Sequence, residues 1–165
     1  MVRFLLGVTT VVAMLVAGPA TAMAQNGPGF GFSAGVLDVE DGPEVLELGC
    51  EYRFGPWKLG LEPHIGLGMT SDLATFLYLG LWRAFPIAAH WRLTPSLAVS
   101  LFSKGNGPDL GHPIEFRSGL VISRTIGSGA EIGVGIYHLS NGGLNEVNPG
   151  ANSLLIRWLL PTRRR

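Results

Sequence analysis

A single cysteine, Cys50, excludes an intramolecular disulfide. Charge is scarce too: Asp, Glu, Lys and Arg together make up 15% of the chain, and twelve basic residues balance twelve acidic ones. Apart from a short tail, Arg163 to Arg165, nothing gives the electrostatic footprint of a nucleic-acid binder. His90 and His112 have no ligand spacing around them, so the sequence offers no metal centre there. No phosphate-cradling glycine loop leads into a helix. After residue 25 there is no apolar run long enough to span a membrane as a helix.

The one sustained apolar run is at the start. Arg3 precedes Phe4 to Val16, and a small-residue stretch ends in Ala22-Met23-Ala24. That order reads as a secretory signal over residues 1–24, with a mature single domain over 25–165. The alternative, a membrane-anchoring helix, needs about 20 apolar residues, and this run is shorter. No lipoprotein-type cysteine follows it.

What is present is alternation with period two. Leu46, Leu48, Cys50, Tyr52 and Phe54 share one face, and Glu47, Gly49, Glu51 and Arg53 share the other. Leu59, Leu61, Pro63, Ile65, Leu67 and Met69 likewise oppose Gly60, Glu62, His64, Gly66 and Gly68. A soluble β-domain would also alternate, so the content of the second face matters. Glu47, Glu51, Arg53, Glu62, His64, Glu115, Arg117, Glu131 and Arg157 all fall opposite the apolar side. In a small closed barrel such charges neutralise one another inside while the apolar face meets lipid.

Eight segments alternate in this way, at roughly 29–38, 44–54, 58–69, 75–85, 90–104, 114–126, 130–140 and 152–160. An even number of antiparallel strands can close and leave no edge unpaired in lipid. The connections at 55–57, 86–89 and 127–129 are short, whereas those at 105–113 and 141–151 are longer and rich in Gly, Asn and Pro. The expected fold is therefore all-β: an eight-stranded antiparallel transmembrane barrel of the outer membrane, short turns in the periplasm and long loops outside. Trp57, Trp82, Trp91 and Trp158 lie near segment ends, as girdle residues would. One feature departs from the outer-membrane pattern: the chain ends in Pro161 and four polar or basic residues, without a terminal aromatic.

Parity places Ile132, Val134, Ile136, His138 and Ser140 on the outward face of one strand. Asn152, Leu154, Ile156 and Trp158 take the outward face of the next. His138, Ser140 and Asn152 thus gather at one end of two adjacent strands. The bland account puts three polar residues at headgroup level. The sharper account is a serine nucleophile, a histidine base and an amide that orients the base.

The stretch His138-x-Ser140-Asn141, followed by Asn148 and Gly150 and then the final strand, resembles the lipid A 3-O-deacylase family of outer-membrane enzymes. The resemblance is one of sequence over residues 138–152 and of architecture elsewhere. It implies Ser140 as nucleophile, His138 as base, Asn141 in the oxyanion hole and Asn148 as a residue shaping the site. The family's acidic member falls where this chain has Asn152, which orients a neutral imidazole but stabilises its cation less than a carboxylate would. The same string and a Ser-His-Asn set resemble outer-membrane phospholipase A, a larger, calcium-dependent barrel. Glu146 could offer a carboxylate from the loop, although a solvated loop acid is the plainer reading.

The function expected is hydrolysis of the 3-O-linked acyl chain of lipid A, with acyl chains lying along Ile132, Val134, Ile136, Leu154 and Ile156. No metal or cofactor is expected, since serine acyl transfer needs only a base and an oxyanion hole. The expected partners are lipid A or lipopolysaccharide as substrate and the outer membrane, with no nucleic acid; a homodimer is compatible with the chain. The rivals are a phospholipase-like esterase and an inactive structural barrel.

Overall fold

The computed structural model describes residues 27–38, 44–127 and 129–162, together with Leu15. Apart from that residue, the segment expected to be a secretory signal lies outside the described residues. The strands in chain order are β1 (Gly29–Leu37), β2 (Val45–Arg53), β3 (Glu62–Thr70), β4 (Thr75–Trp82), β5 (Phe85–Ala88), β6 (Trp91–Ser103), β7 (Ile114–Ile126), β8 (Ala130–Ser140) and β9 (Ala151–Pro161). Each pairs antiparallel with its neighbours, and both β1–β9 and β4–β6 are joined, so the sheet closes on itself. The short β5 carries on from β4 and pairs with the first residues of β6, so the two occupy one position in the wall. The ring is an eight-stranded antiparallel barrel.

Two expected boundaries move. The third segment starts at Glu62 rather than 58, because Lys58–Gly60 form a 3-10 turn with Leu59 in the left-handed region at φ 60°. The connection expected at 86–89 is mostly strand. Pro86 has no N–H to give to a ladder, and the β5–β6 register shifts between Pro86 and Ala88. The reversal is at Ala89-His90, where His90 has φ 67°.

Period-two alternation sorts the side chains across this wall. Leu46, Leu48, Leu67, Met69, Leu77, Leu79, Val134, Ile136, Leu154 and Ile156 are exposed on the outside. An apolar outer surface of this kind suits hydrocarbon rather than water. The inside holds most of its charges in pairs, although the buried Glu115 carboxylate has no hydrogen-bond partner among the described residues. Arg53 Nε lies 3.0 Å from Glu62, Arg92 lies 2.7 Å from Glu131, and Arg117 lies 3.4 Å from Glu47. Arg157 pairs with Glu51 and receives little water. Buried charges persist more readily when their other donors and acceptors are also met, as where Ser153 donates to Glu47 at 2.5 Å and Arg157 donates to the Tyr137 hydroxyl at 2.7 Å.

Trp82 departs from the girdle expectation. Its indole is buried inside, with Arg157 stacked 3.9 Å above the ring and His64 edge-on at 5.2 Å. The wide flat indole is where the Arg157 cation rests. Trp57, Trp91 and Trp158 are exposed, with Phe30 and Phe54, at the end of the barrel that holds the start of β1 and the end of β9. At the opposite end Leu37, Leu110, Leu139 and Ala151 pack into a buried apolar plug.

The Arg157–Tyr137 contact gives a direct stability prediction. Tyr137→Phe removes one hydrogen bond to a buried cation, worth about 1.5–3 kcal/mol. The barrel should stay folded but unfold at lower temperature or denaturant concentration, read as the heat-dependent mobility shift on a gel. An unchanged unfolding midpoint would show that the tyrosine hydroxyl contributes nothing.

Candidate active site

Three adjacent strands carry the site. In the ladder, His138 on β8 stands directly opposite Asn152 on β9 and Ser118 on β7. Ser140 stands opposite Phe116. Leu139 belongs to the inner plug, so His138 and Ser140 on either side of it point outward. Directly opposed residues share a face, which places Ser118 and Asn152 outside as well.

His138 Nδ1 lies 2.8 Å from Asn152 Oδ1. A carboxamide oxygen only accepts, so Nδ1 carries the proton and Nε2 is left with its lone pair. That is the tautomer a general base requires. The ring is held from its other side as well. Gly150, at φ 73°, brings its backbone so near that an added Cβ would sit 2.9 Å from His138 Cε1 and 3.4 Å from Nε2.

Ser140 is only 2% exposed although it points outward, and its Oγ has no hydrogen-bond partner among the described residues. A buried hydroxyl without a partner costs stability. Its position, two residues from the base on the same face, puts the Cα atoms about 7 Å apart by the strand rise. The hydroxyl proton is thus committed to no other acceptor. All three polar residues face outward, with Asn152 and His138 half-buried and Ser140 enclosed.

Asn141 and Asn148 organise the loop that follows. The Asn141 amide donates to Leu110 O at 3.0 Å and to Val147 O at 2.8 Å, while its Oδ1 accepts the Gly143 N–H at 2.9 Å. Its side-chain donors are therefore spent on shaping the loop, and no Nδ2 proton remains for an oxyanion. Asn148 Oδ1 accepts the Asn141 backbone N–H at 3.1 Å, so the donor half of that side chain, Nδ2, is not used in this bond. Glu146 is exposed in the loop, and the partner of His138 Nδ1 is Asn152.

The β6–β7 loop braces this arrangement. Leu110 sits in the apolar plug, Asn145 Nδ2 donates to Gly111 O at 2.6 Å, and Gly111 lies where an added Cβ would be 1.9 Å from Val147 O. Only glycine permits that approach, at φ 90°. Asp109, fully exposed in the same loop, is held below the usual carboxylate range by the Gly111 N–H and by Lys104. The outward residues Ile132, Val134, Ile136, Leu154 and Ile156 form an exposed apolar strip running from the site along the wall. Ser118 escaped the sequence reading. The signal was there as the one polar outward position in Ile114-x-Phe116-x-Ser118-x-Leu120-x-Ile122, but its place beside His138 needs the register.

Gly150 supplies a test of the ring's position. A methyl group at this left-handed position strains the backbone and displaces the imidazole. Gly150→Ala should lower kcat by about tenfold, the effect of roughly 1.4 kcal/mol on the barrier, with KM little changed. A loss confined to KM would show that the glycine serves binding rather than the base.

No curated protein matches the chain. Among solved structures, the crystal structure of the outer membrane enzyme PagL aligns with a TM-score of 0.63 at 18% identity, covering 81% of this chain and 99% of that one. A de novo designed transmembrane β-barrel aligns at 0.56 and 10% identity, covering 84% and 100%. These likenesses show the barrel and nothing of its chemistry, since even a designed barrel shares them. The family model for lipid A 3-O-deacylase (PagL) matches residues 46–161 and so takes in every strand that builds the site. With His138, Ser140 and Asn152 gathered on the last two of those strands, the chain belongs to the lipid A 3-O-deacylase family.

Proposed function

We propose that the protein is a serine esterase of the outer membrane that removes the 3-O-linked acyl chain from lipid A. The observation that carries the reading is the buried, uncommitted Ser140 hydroxyl beside a histidine whose Nδ1 is held by Asn152. Ser140 Oγ attacks the ester carbonyl and His138 Nε2 takes its proton. Asn152 Oδ1 keeps the Nδ1–H bond as the ring becomes cationic. The negative oxygen of the tetrahedral intermediate meets donors from the loop, with Asn148 Nδ2 the side-chain candidate. Collapse returns the proton from His138 to the departing sugar 3-oxygen and leaves an acyl-serine. Water, activated by His138, then releases the fatty acid.

Placement on the wall supports a lipid substrate. Going down β8 from Ser140 to Ile132, beside Trp158, the strand covers about 26 Å, or roughly 20 Å of height once tilted. The aromatic belt and the site therefore sit about one apolar band apart, at opposite interfaces. With the long loops outside, the site faces the outer leaflet, where lipopolysaccharide is encountered first. The acyl chains then lie along the apolar strip.

Mass spectrometry of lipid A from cells expressing the protein tests the reading. The expected result is loss of one 3-O-linked hydroxyacyl chain. Intact lipid A with cleaved phospholipid would favour a phospholipase reading, to which the Ser-His-Asn set gives some support. No change in either lipid would favour an inactive barrel.

A further inference from the structure

The outer wall is apolar along its middle, and four polar outward residues gather about the end of β8 and the start of β9. Asn152, His138 and Ser118 make a row across β9, β8 and β7, with Ser140 above His138. Three of the four have a role in the ester hydrolysis proposed above. Ser118 has none. It is half-buried, and no described residue hydrogen-bonds its hydroxyl. A hydroxyl left without a partner at a lipid-facing wall is unfavourable, so its place between the outward Phe116 and Leu120 of β7 calls for a partner that arrives with the substrate.

The row also fixes which way an acyl chain can leave the nucleophile. His138 lies directly below Ser140, and the 2.8 Å His138–Asn152 bond bridges the β8–β9 side. That leaves the β7 side for the scissile chain, over Ser118 and then between Leu120 and Ile136, which stand opposite each other, while the lipid's other acyl chains keep to the strip on β8 and β9. Ser118 is diagonal to Ser140 across the β7–β8 ladder, so their Cβ atoms are about 7–8 Å apart or slightly less. A carbonyl carbon poised for attack lies about 3–3.5 Å from the Ser140 Oγ. A hydroxyl on the third carbon of the acyl chain is about 3–4 Å beyond that by ordinary bond lengths. The two spans together end within hydrogen-bond reach of Ser118.

We propose that Ser118 is a specificity-determining residue that hydrogen-bonds a 3-hydroxyl on the scissile acyl chain and so selects hydroxylated over plain fatty acyl esters. The inference rests on the serine-esterase reading. Ser118 is not a second orienting group for the base: Nδ1 is already taken by Asn152, and a donor on Nε2 would compete with Ser140 for the lone pair.

The test uses the full-length protein folded in detergent and two esters that differ only in the 3-hydroxyl, a 3-hydroxydodecanoyl and a dodecanoyl ester of the same alcohol. One neutral hydrogen bond predicts that the wild type prefers the hydroxylated ester by about three- to tenfold in kcat/KM. Ser118→Ala should abolish that preference by slowing only the hydroxylated ester, and Ser118→Thr should restore most of it. An equal fall on both esters would assign Ser118 to positioning His138, and an undiminished preference in Ser118→Ala would place the selecting group elsewhere. Either outcome overturns the proposal while leaving the esterase reading intact. A folded wild type inert towards both esters and lipid A overturns the esterase reading and this inference with it.

Discussion

Ser140→Ala and His138→Ala should each leave lipid A with its full set of acyl chains in cells where the wild type removes one. In the proposed mechanism, loss of the serine hydroxyl removes the atom that bonds the acyl group, and loss of the imidazole removes the acceptor for its proton. In serine hydrolases, deleting either member alone costs about as much as deleting the whole set, and residual rates come only from binding and the oxyanion hole. A fall of at least about 10³-fold in deacylation is expected for each, with the double variant no worse than the singles. Neither residue supports the barrel: Ser140 Oγ bonds none of the described residues, and His138 lies on the outer wall. Both variants should therefore give the wild-type heat-dependent gel shift, so lost activity cannot be mistaken for lost folding. If either variant kept a tenth or more of the wild-type rate, the nucleophile would have to be sought elsewhere.

The barrel was legible because its two faces answer to opposite solvents. Parity alone puts Glu47, Glu51 and Arg53 inside and Leu46, Leu48 and Cys50 outside, and the burial follows that division. The same parity set His138, Ser140 and Asn152 on one face, a relation that depends only on counting along β8 and β9. Features that depend on how strands meet were hidden. Ser118 looks like an ordinary strand serine until the β7–β8 register sets it against His138. Asn141 reads as a free amide until a loop 31 residues away supplies the carbonyl of Leu110. Trp82 looks like a girdle residue because it ends a strand, yet Tyr78 and Phe76 share its parity and all three are buried inside. Pro86 suggests a turn because it breaks a ladder, yet it lies within a strand that shifts register there and reverses only at Ala89-His90.

Asn152 stands where the resemblance implies an acid, and two substitutions define what the amide does. Asn152→Leu keeps the bulk and removes the acceptor, so His138 loses both its fixed tautomer and its orientation. Deacylation should fall by about 10²-fold, mainly in kcat, because acyl-chain contacts along the strip are untouched. Asn152→Glu restores a carboxylate, and two effects then oppose each other. A negative charge stabilises the imidazolium formed in the transition state, which an amide oxygen does only weakly. Against that, a carboxylate on a half-buried outer wall loses hydration, and glutamate is one methylene longer than the residue now seated 2.8 Å from Nδ1. The row lies near the end of the strip, where water and headgroups are within reach, and the charged form survives best there. The gain should therefore exceed the cost, and kcat should rise by about three- to tenfold, roughly 1 kcal/mol off the barrier. Steady-state kinetics of the folded variant on one ester substrate decide the matter. A fall in kcat would mean that Gly150 and the neighbouring loop have set the imidazole for an amide, and that the site works through a fixed tautomer with little help from a counter-charge.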